Sequence, residues 1–153
     1  MSTDFYVAAP AATWPTAELI QQCMVQRAYP VRVRRFPSFN PRQVVSDGAL
    51  ISLDTDAEVY LEGELFSAAS GREDVDAINK RLATTPDPFR ASSGDAVMSF
   101  RVRSPREMRA ASYVIASLIV CFHGYGVDPQ GNGRGRDDFA KTLVDAASAL
   151  KGL

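Results

Sequence analysis

The sequence predicts a single α+β domain over residues 1–153, with about five mostly antiparallel strands in one sheet and helices packed mainly on one face. Three observations predict it. Apolar and polar residues alternate in several short runs, as in strands with one wet face. Elsewhere apolar residues recur every three or four positions, as in amphipathic helices. The chain has 153 residues, 46% hydrophobic and 23% charged, which suits one domain with a core of its own.

The elements follow in the order β-α-β-β-β-α-β-α-α. Phe5 to Ala9 is a short apolar run closed by Pro10, a first strand. Thr13 and Pro15 mark a helix start, and Ala17, Ile20, Cys23, Met24 and Ala28 form its buried stripe until Tyr29-Pro30 ends it. Val31 and Val33 alternate with Arg32 and Arg34, a half-buried strand with a basic wet face. After a loop from Pro37 to Gly48, Ala49 to Leu53 and Glu58 to Phe66 flank Asp54-Thr55-Asp56-Ala57, a hairpin turn. On the second arm Val59, Leu61 and Leu65 face one way, and Glu58, Tyr60, Glu62 and Glu64 the other.

Ser70-Gly71-Arg72-Glu73 reads as a capping box before a helix carrying Val75, Ile78 and Leu82, which Thr85 to Pro88 stops. Ala96 to Val102 is a strand with Met98, Phe100 and Val102 inward. Ser104-Pro105-Arg106-Glu107 opens the central helix, whose stripe is Met108, Ala111, Ile115, Leu118, Ile119 and Phe122, with Ser112 beside it. Gly124 and Gly126 offer a left-handed end. A glycine-rich surface connection follows, and Asp137 or Asp138 opens a last helix carrying Phe139, Leu143, Ala147 and Leu150.

No run approaches the ~20 apolar residues of a membrane span. The start Met1-Ser2-Thr3-Asp4 lacks the basic segment of a secretory signal. Cys23 and Cys121 fall among apolar residues and read as buried reduced thiols, so the expected compartment is the cytoplasm. Arginine outnumbers lysine fourteen to three, an association with GC-rich bacterial genomes. The net charge of −1 disfavours nucleic acid, yet the charge is uneven: −6 over residues 54–95, +2 before them and +3 after.

The residues offer little chemistry. His123 and Cys121, two apart on a helix, point in divergent directions, so neither a nucleophile pair nor a metal site is expected. Glu62 and Glu64 on a wet sheet face are expected to stay ordinary carboxylates. No catalytic residue, metal or cofactor is assigned. The loop from Gly124 to Arg136, with Tyr125, Asp128, Arg134 and Arg136, forms a secondary candidate: a small enzyme could hold an anionic ligand there. It lacks the lysine and Ser/Thr of a phosphate-binding loop and follows a helix, not a strand.

Recognition is the remaining class. Asp54, Asp56, Glu58, Tyr60, Glu62 and Glu64 make an acidic patch with an aromatic anchor, suited to a basic protein partner. The expected function is a bacterial immunity protein that binds and neutralises a toxin, acting as a monomer or homodimer. A structural subunit of a homo-oligomer or secretion apparatus is the further alternative. Arg27, Arg32, Arg34, Arg35 and Arg42 form a second, basic cluster, read as a second binding surface or a solvated strand face.

Overall fold

The computed structural model describes residues 2–70 and 72–152. Eight strands and four helices occur among them: β1 (Thr3–Pro10), α1 (Ala17–Gln26), β2 (Val31–Arg35), β3 (Ala49–Leu53), β4 (Glu58–Leu61), β5 (Leu65–Ser67), α2 (Glu73–Ala83), β6 (Asp95–Val102), α3 (Pro105–Phe122), β7 (Tyr125–Val127), β8 (Arg134–Gly135) and α4 (Asp137–Ala149). The class is α+β, and every strand pair is antiparallel.

The single sheet is corrected to two: β5-β6-β1-β7-β8 and β2-β3-β4. The expected arm from Glu58 to Phe66 is one extended segment that changes neighbours along its length. Residues 58–61 pair with β3, and Glu62 to Ser67 run along β6, with Glu62 bridged to Arg101 and Val45 bridged to Leu65. Gly63 sits at the crossing. A Cβ there would lie 1.9 Å from the Ser99 carbonyl oxygen, so only glycine lets the two backbones meet.

The main core lies on one side of both sheets. Phe5, Val7, Met98, Phe100 and Leu65 join Ile51, Leu61 and Val31 there, against Ile20 and Met24 of α1 and the buried face of α3. Phe139 and Leu143 of α4 complete it. The expectation of helices mainly on one face holds for these three. It fails for α2, whose Val75, Ile78 and Leu82 pack with Ala8, Phe66, Val97, Tyr125 and Val127 on the opposite face. The unbroken apolar run of β1 has this cause: a strand covered on both sides has no wet position.

Helix ends differ in detail. Thr16, not Thr13, caps α1 by accepting from the Leu19 N–H. Ser104 caps α3 as expected, accepting from Glu107 N–H, with Pro105 at the first position. α2 begins after Arg72 with no side-chain cap; Gly71 of the expected capping box lies outside the described residues. At the end of α3 the left-handed residue is His123, at φ 60°, not a glycine.

The cysteines are a plain correction. Cys23 and Cys121 form a disulfide joining α1 to α3, with Cα atoms 6.3 Å apart across 98 residues of sequence. Each sits on the flank of its helix that meets the other. That juxtaposition is tertiary and invisible to local pattern. The glycine-rich segment is also more ordered than a surface connection. Its ends form β7 and β8, and β7 pairs with β1 through Tyr6, Val7 and Ala8.

Candidate functional site: the open outer sheet face

Because side chains alternate across a strand, burying Val31, Ile51, Val59 and Leu61 turns Arg32, Ser52, Glu58 and Tyr60 to the other face. The strand register sets Arg32, Ser52 and Glu58 in one row, and Leu50 beside Tyr60 in the next. Tyr60 is 46% exposed. Among the described residues no helix covers these strands from outside; α2 packs on the neighbouring sheet.

The predicted acidic stripe is divided into two halves. At the hairpin tip, Asp56 (φ 64°) and Glu58 are exposed and make no ion pair among the described residues. Asp54 is engaged: the buried Arg109 of α3 donates to both its carboxylate oxygens at 2.5 and 3.1 Å. That guanidinium holds the Asp54 carboxyl below the ordinary range.

Further along, Glu62 is paired with Arg103 and lies 4.0 Å from Arg101, while Glu64 accepts from Arg72 at 2.9 Å. Arg101 also meets Asp4 at 3.3 Å. This half is a neutralised network. A cavity of ≈ 260 Å³ opens beside it between Tyr6, Glu64, Asp74, Ser99 and Arg101. Sequence reasoning missed Asp4, Tyr6, Ser99, Arg101 and Arg103 here. The alternation of Arg101 and Arg103 with Phe100 and Val102 placed them outward, but only the pairing of Glu62 with Arg101 reveals their neighbours.

A groove of ≈ 640 Å³ lies at the tip of the three-stranded sheet, between Val25 and Tyr29 on one side and Asp56 and Glu58 on the other, with Arg32 and Arg34 along it. Val25 is 70% exposed, the most open large apolar side chain among the described residues.

The secondary loop residues close the loop on itself. Tyr125 donates its hydroxyl to the Asp87 carboxylate and stacks on Phe89 with centroids 4.1 Å apart. Burial and Asp87 together push the Tyr125 phenol well above its ordinary pKa, and the same hydrogen bond lowers Asp87. Arg136 lies over both rings and donates to the His123 and Gly124 carbonyls at 2.8 and 3.1 Å. Asp128 accepts from the backbone of Gln130 and Gly131, and Arg134 donates to the Asn132 carbonyl. An open cavity of ≈ 700 Å³ lies here, but Asp87, Asp137 and Asp138 line it with the arginines.

No protein-family model, curated protein or solved structure matches this chain. Chemistry must therefore be read from its own residues. Cys121 is in the disulfide, so it forms no nucleophile pair with His123. Among the described residues no cluster of His, Cys, Asp or Glu is placed to hold a metal ion, and no helix is long and apolar enough to cross a membrane.

Proposed function

We propose that the chain is a non-catalytic protein-binding domain, an inhibitor of the immunity type that occludes a toxin with the outer face of its three-stranded sheet. One observation carries this reading. Arg32, Arg34, Ser52, Glu58 and Tyr60 form a face that no helix among the described residues covers, while α1 and α3 fill the inner side. An exposed tyrosine ringed by charged residues of both signs has the anatomy of an interface anchor within a polar rim. The free carboxylates Asp56 and Glu58 suit a cation on the partner.

The test is a tagged pull-down from lysate of the native host at low and high salt, repeated with Tyr60→Ala. One stoichiometric partner, retained by the parent chain and lost by Tyr60→Ala, supports the reading. Recovery of the chain alone, or retention unaffected by the substitution, overturns it.

A further inference from the structure

The unpaired charge on this face is basic as well as acidic, and its placement is specific. Among the described residues, Arg72, Arg101, Arg103 and Arg109 are in ion pairs, and Arg81, Arg90, Arg134 and Arg136 donate to carbonyls. Of the six described arginines without such a partner, Arg27, Arg32, Arg34, Arg35, Arg42 and Arg106, all exposed, three stand together on β2. Strict alternation along Val31-Arg-Val-Arg-Arg35 would turn Arg35 inward with the two valines. A bulge prevents this. The register shifts by one between Val33 and Arg35, which brings Arg35 opposite Leu50 on the outer face and turns Phe36 into the core against Trp14. The bulge thus gathers three guanidinium groups over about 10 Å of one strand, at roughly 3.3 Å per residue.

We propose that β2 is a docking strip for an acidic, extended segment of the partner protein; this rests on the protein-binding reading above. Arg32 and Arg34, two residues apart, match the spacing of alternate side chains in an extended chain. Each guanidinium presents a fork that meets a carboxylate at two points. Leu50 and Tyr60 beside them supply apolar contact. Glu58, two strands from Arg32 in the same row, and Asp56 repel an acidic segment that drifts off β2, and so fix its position. A nucleic-acid strand fits less well. Three arginines meet two or three phosphates, too few to track a backbone, and the same carboxylates stand beside its path.

The strip is tested on the full chain with a fluorescein-labelled ten-residue oligoglutamate peptide, by anisotropy at low salt. Oligoglutamate should bind, and Arg32→Gln/Arg34→Gln/Arg35→Gln should weaken it at least tenfold, with Arg106→Gln, an exposed arginine on α3, unchanged. Should the triple variant melt early, Arg34→Gln alone is read, with about a threefold loss expected. Absence of binding, an equal loss with Arg106→Gln, or tighter binding of a ten-nucleotide oligo-dT overturns the proposal. The peptide measurement needs no partner, so an empty pull-down bears on the inhibitor reading alone.

Discussion

Arg109, 1% exposed within α3, holds Asp54 of the β3–β4 turn by two hydrogen bonds. The central helix thereby fixes the tip of the hairpin that carries Asp56, Glu58 and Tyr60. The Arg109 Nε is buried without a partner, so the two bonds to Asp54 are the main compensation for burying this charge.

Asp54→Asn should therefore destabilise the fold by about 3 kcal/mol, the low end for breaking a buried pair because the Asp54 side chain is 30% exposed. The Asp54 and Asp87 carboxyls are both held below their ordinary values, so their stabilisation is present above about pH 4 and is lost as pH falls through the lowered folded values. Urea denaturation across pH 2–7 checks both points: Asp54→Asn should lose stability near neutrality and show a flatter acid limb.

Tyr125→Phe should cost about 1.5–3 kcal/mol, the range for a hydrogen bond to a charged group. The phenol is raised, so its contribution is complete below the unfolded value of about 10 and declines as pH rises toward the folded one. Burial also raises the Tyr6 and Tyr29 phenols, so ultraviolet titration of the folded chain should show late ionisation, and Tyr125→Phe should remove its last part, beyond those of Tyr6 and Tyr29.

Reduction of Cys23–Cys121 should lower stability by about 4–5 kcal/mol, the loop-entropy value for a closure near 100 residues. Thermal denaturation with and without dithiothreitol measures it, and Cys23→Ala should remove the difference. A thiol assay on the native, unreduced chain should find no free cysteine. Persistent disulfides belong to oxidising compartments, so the cytoplasmic expectation drawn from reduced thiols loses that support.

Gly63→Ala should destabilise by about 3 kcal/mol or more, because the clash is with backbone that no rotamer change relieves. Equal urea midpoints for this variant and the parent would show that the two backbones at the crossing can separate enough to admit a Cβ.

Much of the architecture is legible in the sequence alone. Ser104-Pro105 and Glu107 are local signals, since a cap and the N–H it accepts lie three residues apart. The inward Val59, Leu61 and Leu65 follow from a period of two. Legibility ended where residues distant in sequence meet. Glu62 and Glu64 looked like open acids because Arg103 and Arg72 arrive from β6's end and the start of α2. Asp87 belongs to the helix stop of Thr85 to Pro88 and Phe89 carries no local signal, yet the two complete the cluster around Tyr125.

By itself, then, the sequence determined what short-range sterics and periodicity control: the class, most elements, most inward residues (Ala28, expected in the α1 stripe, is exposed at φ 58° beyond that helix) and the outward direction of Arg32, Glu58 and Tyr60. Tertiary structure alone decided the sheet division at Gly63, the placement of α2 on the outer face, the bulge that turns Arg35 outward, the joining of Cys23 to Cys121, and which charges are left unpaired. The physical reason is common to all five. Each depends on the relative placement of whole elements, which the summed burial of the core settles and no local run of residues encodes.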